Sequence, residues 1–324
     1  MNKILVSGSS GFIGNNLCKR LIELKRYGCG TVRNLDLFND TDNFKYFSVG
    51  NIGPKTNWEN ILENVNCIIH CAGISHEIKE KDKIKVYQSV NIEGTKHFAK
   101  QAAKAGVKKF IFLSSVKVNG EITKKNLDKK INENSPKKTF SAYDTPNPQS
   151  FYAKSKYETE KALLKISENT GLEVVILRLP LVYGHGVKGN LLNLIKLIKL
   201  KIPLPFNLIK NQRSLIGIDN LIDILIHCAD HPNISGKTFM VSDDEDLSTV
   251  DLIKHIASAM SIKVRLFSFP ISLIKILAYI LGKHGEINRL VESLQVDITF
   301  TKKTLNWKPP LSVKEGISRM VKFK

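Results

Sequence analysis

The sequence predicts an α/β protein built on a doubly wound parallel sheet, with a smaller C-terminal substrate-binding unit. Three observations carry that prediction. Short apolar runs of strand length alternate with longer helical patterns through the first half of the chain, as buried parallel strands alternate with their crossover helices. The first run, Lys3-Ile4-Leu5-Val6, leads directly into a glycine-rich turn and an amphipathic stretch. After Gly184 the alternation gives way to helices, turns and short strands.

In chain order, residues 4–6, 31–35, 67–70, 110–113 and 174–177 read as buried parallel strands. Residues 12–24, 91–104 and 152–168 have helical periodicity. Residues 121–148 are polar and hold Pro136, Pro146 and Pro148, the signature of a long loop of the kind that usually serves function. The division that follows is a dinucleotide-binding domain over 1–184 and a mainly substrate-binding part over 185–324, some of whose segments return to the first domain. Residues 271–281 are the longest apolar stretch, too short to span a bilayer and interrupted by Lys275. They read as a buried amphipathic helix, with a membrane-surface helix as the alternative.

Composition narrows the classes. The chain has 324 residues and is 42% hydrophobic, enough for a sizeable core. No secretory signal precedes the first strand. The five cysteines are scattered without metal-ligand spacing, which points to a reducing cytoplasm. The formal net charge is +19, but the lysines are spread along the chain and no basic block is interleaved with aromatics. That pattern fits a solvated surface attracting a small anionic substrate better than a nucleic-acid partner.

The turn Gly8-Ser9-Ser10-Gly11-Phe12-Ile13-Gly14 lies between a strand and a helix. Glycines there let the backbone turn tightly and approach a pyrophosphate, which the helix N-terminus then holds. Asp36 closes the second predicted strand, where a carboxylate accepts hydrogen bonds from ribose hydroxyls and repels a 2′-phosphate, favouring NAD over NADP. Arg33, read as lying inside that strand, is a poor ligand for such a phosphate. Further on, Tyr152 and Lys156 share one helix face. An ammonium beside a phenol favours the phenolate and lowers its pKa toward that of a general base. The strand 110–113 ends in Ser114-Ser115, at the sheet edge where ligands of open α/β sheets bind. Ser115, Tyr152 and Lys156 together suit proton transfer at a sugar or alcohol oxygen.

These motifs, in this order, resemble the extended short-chain dehydrogenases/reductases of the nucleotide-sugar epimerase/dehydratase group. The resemblance rests on Gly8, Gly11, Gly14 and Asp36; on His70-Cys71-Ala72-Gly73 and Val90-Asn91-Ile92-Glu93-Gly94-Thr95; on Ser114-Ser115 with Gly120; and on Tyr152 with Lys156. It continues through Leu177-Arg178, Val182-Tyr183-Gly184, Asp297 and Leu305-Asn306-Trp307-Lys308-Pro309, with Asn306 where glycine is usual. It implies a Rossmann fold holding NAD with Gly8, Gly11, Phe12, Ile13, Gly14, Asp36, Asn51, Ile52, Cys71, Ala72, Gly73 and Asn91. It makes Tyr152 the proton-transfer residue, Lys156 the ligand of the nicotinamide ribose, and Ser115 the partner of the reacting hydroxyl. Asn51-Ile52 would meet the adenine.

On the substrate side the resemblance gives Arg213 to the diphosphate of a UDP-sugar, with Arg289 as a second phosphate ligand and Asn190 as a substrate amide. Gly217 replaces the usual His or Tyr, which implies more room there. Leu181 stands where many family epimerases have asparagine, and Ser293-Leu294-Gln295-Val296-Asp297 is similar to a subgroup linked to 4-keto-sugar reduction and surface polysaccharides. Val116-Lys117 stands where dehydratases place Asp-Glu. The implied activity is a UDP-hexose 4-epimerase; the alternatives are an NAD(P)H-dependent reductase of a UDP-4-keto-6-deoxyhexose and a non-catalytic dinucleotide-binding protein. No metal is implied, and a homodimer through 91–104 and 152–168 is.

Overall fold

The computed structural model describes residues 2–74, 83–123 and 139–322. The strands are β1 (Lys3–Ser7), β2 (Gly28–Val32), β3 (Phe44–Ser48), β4 (Val65–His70), β5 (Lys109–Ser115), β6 (Glu173–Leu179), β7 (Leu181–Tyr183), β8 (Arg213–Gly217), β9 (Thr238–Met240) and β10 (Asp246–Leu247). The helices of the first half are α1 (Phe12–Glu23), α2 (Glu59–Leu62), α3 (Lys83–Val86), α4 (Thr95–Lys104) and α5 (Phe151–Thr170). They are followed by α6 (Asn190–Lys199), α7 (Ile218–Asp230), α8 (Thr249–Ala259), α9 (Ile271–Ile280), α10 (His284–Val291), α11 (Thr299–Leu305) and α12 (Val313–Lys322).

Seven strands form one parallel sheet in the order β3-β2-β1-β4-β5-β6-β9. From β1 the chain winds outward to β3, then returns to continue from β4 on the other side. The carboxyl ends of β1 and β4 therefore flank the point where the winding reverses, and a crevice opens there. Alternate side chains feed two cores. Ile4 and Val6 pack with Leu17 and Leu21 of α1 and Leu221 and Leu225 of α7. Leu5 packs on the opposite face with Phe98 of α4 and Leu163 of α5. Strands β7, β8 and β10 form a second, small sheet, and a third core joins it to α6, α8, α9 and α12. Strand β9 and helix α7, both beyond residue 184, belong to the main sheet and its core.

Four expectations need correction. The second strand is β2 at Gly28–Val32, not 31–35. Its glycines hide it: a Cβ on Gly28 would come within 2.8 Å of the Phe44 ring, and one on Gly30 within 2.5 Å of Ser9 Oγ. Arg33 therefore lies outside the strand and is exposed, so the ground for dismissing it is removed. The helix expected from 91 is already under way, because Tyr87–Gly94 forms a π-helical segment that passes into α4. Finally, α9 is not a buried helix. Ile274 and Ala278 are buried, but Leu273, Ile276, Leu277 and Ile280 are exposed. Part of the polar loop, 124–138 with Pro136, lies outside the described residues. Where glycine is usual, Asn306 adopts the left-handed conformation (φ 46°) that ends α11, a conformation asparagine tolerates.

Candidate active site

The crevice at the winding reversal is lined by backbone. Gly8 has φ 73°, and a Cβ on it would lie 2.8 Å from the Ala72 backbone, so the turns after β1 and β4 touch. A Cβ on Gly14 would come within 2.3 Å of the Gly8 carbonyl. Gly11 precedes α1 without a side-chain cap, and no acidic residue stands in the first turn, Phe12, Ile13 and Gly14. This helix end keeps its positive dipole and suits a phosphate. Across the crevice, Cys71 N donates to Ser7 O at 3.2 Å, and Ala72 N to Ser7 Oγ at 3.4 Å. Burial holds the Cys71 thiol well above its ordinary range.

Gly73 bounds a cradle that a side chain would fill: its Cβ would stand 3.3 Å from Asn91 Oδ1 and 3.5 Å from Lys156 Nζ. The residues present suit a dinucleotide: the free α1 N-terminus fits a diphosphate, and Gly73 leaves space beside Lys156 that a side chain would fill. The Asn91 amide is itself engaged, accepting from Ile74 N at 2.8 Å and donating to Ser155 Oγ at 3.1 Å. It positions the cradle rather than offering a free group. At the other end, Asp36 lies beyond β2, exposed, and accepts from Asn34 Nδ2 at 2.6 Å. Asn51 is exposed on a shallow open cleft of about 420 Å³, and Ile52 beside it is half-buried.

Strand β5 delivers Ser115, and α5 delivers Tyr152 and Lys156. Ser150 caps α5 by accepting from Ala153 N at 3.3 Å, which fixes where the first turn begins and hence where Tyr152 points. Ser115 stands close enough to Tyr152 to act on its phenol. Lys156 Nζ donates to Leu113 O at 2.8 Å and lies 4.6 Å from the Phe112 ring centroid. The expected direction of the tyrosine shift is reversed. Burial pushes the Tyr152 phenol up to about 12, and the influence of Ser115 pulls it down only in part. Burial also drives the Lys156 ammonium down, to about 8, with Glu160 opposing.

Behind this trio stands a buried group whose role was not read from the sequence. Glu160 accepts from Arg178 Nε at 3.0 Å, from Arg178 Nη2 at 2.6 Å and from the Ser114 hydroxyl. Arg178 Nη1 also donates to Asn119 Oδ1 at 3.0 Å. The signal was available: Glu160 follows Lys156 by one turn, and Ser114 adjoins Ser115. The network ties β5, β6 and α5 together directly under the reacting groups.

On the C-terminal side, Arg213 opens β8 and donates from Nη1 to Glu292 O at 2.9 Å. Burial, then the charge of Arg289 on α10, push its guanidinium down to about 10. The structure thus brings both candidate phosphate ligands into one field, where a bound anion would relieve their repulsion. Glu121 links the halves: it accepts from Ser150 Oγ at 3.0 Å, and its charge acts on Arg213. The run ending at Asp297 pairs here too, through Ser214 N to Leu294 O at 2.9 Å. Asn190 begins α6 and is half-buried, and Leu181 is exposed on β7. Gly217 does not leave room. Its N–H donates to both Asp243 carboxylate oxygens, at 2.9 and 3.0 Å. A Cβ there would stand 3.3 Å from Tyr183 Oη, which fills the space and donates to Asp243 at 2.7 Å.

The chain belongs to the NAD dependent epimerase/dehydratase family, which matches residues 4–242. It is 39% identical to a UDP-glucose 4-epimerase of Vibrio cholerae over 98% of this chain and 93% of that one. It is 22% identical to the N-acetyl-α-D-glucosaminyl-diphospho-ditrans,octacis-undecaprenol 4-epimerase of Escherichia coli O157:H7, covering 99% and 95%. Among solved structures, UDP-glucuronic acid 4-epimerase of Bacillus cereus in complex with UDP-glucuronic acid and NAD superposes with TM-score 0.77 at 20% identity, covering 98% and 97%. That likeness concerns the fold.

Proposed function

We propose that this protein is an NAD-dependent UDP-hexose 4-epimerase that works through a 4-keto sugar. The observation that carries the reading is the placing of Ser115 within reach of the Tyr152 phenol, on the helix that also brings Lys156 to Gly73. NAD, when bound, supplies the acceptor and later the donor of a hydride. Tyr152 Oη takes the proton from the sugar O4 as the C4–H bond breaks, and returns it once C4 has been reduced on its other face. Ser115 holds O4 against the phenol and shares its charge. The Lys156 ammonium, close to Gly73, holds the ribose hydroxyls and favours the phenolate that Tyr152 must be before it takes the proton. Arg213 and Arg289 clamp the diphosphate while the hexose turns, so the sugar rotates on a fixed anchor. The similarity to the Vibrio cholerae UDP-glucose 4-epimerase supports the same substrate class.

The test is incubation of purified protein with UDP-glucose, UDP-galactose and their N-acetyl forms without added reductant. Interconversion of at least one pair is expected, and failure with all pairs overturns the reading. Oxidation of added NADH or NADPH by a UDP-4-keto sugar would instead assign the reductase.

A further inference from the structure

Helix α9 carries an apolar stripe that the protein does not cover. Leu273, Ile276, Leu277 and Ile280 recur at three- and four-residue spacing, hence on one face, and are 45% to 72% exposed. Ile274 and Ala278 anchor the opposite side in the core of the C-terminal unit. The segments before α9 and after α6 add further exposed apolar side chains. Leu204 N donates to Arg265 O at 2.9 Å and Phe267 N to Leu204 O at 3.0 Å, so the segment after α6 lies against the segment before α9. Leu200, Ile202 and Phe267 of these segments are exposed as well.

Positive charge dominates around this stripe, with Glu286 of α10 and Glu292, which pairs with Lys275 of α9, as its acidic neighbours. No aspartate or glutamate occurs between Glu173 and Asp219, nor between Asp251 and Glu286. Those two stretches supply the face, and Lys199, Lys201, Lys263, Arg265 and Lys283 are exposed on them. A contiguous apolar patch of this kind marks an interaction site. A second copy docked face to face would set these cations against each other. An anionic surface would not, and an apolar helix flanked by lysines is the form that lies in the headgroup layer of a bilayer. Among the described residues no helix is long and apolar enough to cross a membrane, so the contact is interfacial.

We propose that the α9 face docks this protein on an anionic phospholipid bilayer, with the α9 stripe in the acyl–headgroup boundary and the lysines on lipid phosphates. The docked face adjoins the substrate side of the molecule. Lys275 Nζ of α9 is paired with Glu292 Oε1 at 2.6 Å, and the Glu292 carbonyl accepts from Arg213. Docking would therefore hold the arginine pair close to the lipid phosphates. The proposal does not depend on which sugar is turned over.

Co-sedimentation of the full chain with vesicles tests it. Binding to phosphatidylglycerol/phosphatidylethanolamine vesicles is expected, weakening with added salt, with little binding to phosphatidylcholine alone. The double variant Leu277→Glu, Ile280→Glu should bind the anionic vesicles roughly tenfold or more weakly, with unchanged melting temperature and unchanged turnover of soluble substrate. Lys199→Glu with Lys201→Glu should weaken binding and flatten its salt dependence. No sedimentation with anionic vesicles overturns the proposal, as does undiminished binding by the Leu277→Glu, Ile280→Glu variant. A stable dimer in solution that those same two substitutions dissociate also overturns it, since the face is then covered by a second copy.

Discussion

Replacing Lys156 by methionine should abolish turnover and yet make the cofactor-free protein more stable. The buried ammonium is pushed from 10.5 down to about 8, chiefly by burial. At about 1.4 kcal/mol per pKa unit, keeping that charge costs the fold about 3 kcal/mol. Methionine removes the charge at similar length, while the Leu113 carbonyl loses its donor, which gives back about 1 kcal/mol. The net gain near neutral pH is about 2 kcal/mol. The sign with pH follows from linkage. Below pH 8 the lysine is charged in both folded and unfolded chains, and the cost is present in full. As pH rises from 8 toward 10.5 the folded protein releases its proton first, and wild type recovers stability. The variant has no such recovery, so its advantage should narrow by about 2 kcal/mol between neutral pH and about pH 9.5. Urea unfolding of both proteins across that range measures the gap. A gap independent of pH, or a variant less stable at neutral pH, would refute the reasoning.

Three more outcomes follow from the site. Tyr152→Phe should lower kcat by about 10²- to 10⁴-fold while NAD titrations remain unchanged; near-normal turnover would exclude Tyr152 as the proton carrier. Arg213→Ala should raise KM for a UDP-sugar by roughly tenfold to a hundredfold, the worth of a charged hydrogen bond, with kcat largely kept; an unchanged KM would place the diphosphate elsewhere. Gly217→His should destabilise the protein by about 1–3 kcal/mol through overpacking against Tyr183; an unaltered melting temperature would show that the space is open after all.

What could be read from the sequence was local. Gly8, Gly11 and Gly14 announce a turn because only glycine fits backbone contacts that close, and the strand before it and the helix after it are set by periodicity alone. Asp36 could be singled out, but the strand it was assigned to could not be placed, because β2 opens on Gly28 and Gly30, whose missing side chains leave room for the rings of Phe44 and Tyr46. The direction of the Tyr152 shift was misjudged for a related reason. Spacing shows that a lysine lies one turn away, but not that the fold buries the phenol, which is what raises its pKa. Gly217 looked like a vacancy until Tyr183 was seen to occupy it. Helix α9 has the composition of a buried helix, and only the tertiary structure shows which of its sides has no neighbour. In each case the missing information was a contact between residues distant in sequence.

The last strand of the main sheet has a consequence for how such a protein can diversify. Strand β9 is contributed by chain that has already built part of the second sheet, and α7, which covers the Rossmann core, lies between them. The substrate side is therefore woven into the nucleotide side and is not an exchangeable module. A chain cut after Gly184 would expose the flank of β6 and strip one face of the sheet. Cassette exchange, the route by which separable modules acquire new partners, is closed to this architecture. New specificities must arise by substitutions and loop changes around β5, α5 and β8, which stay in place.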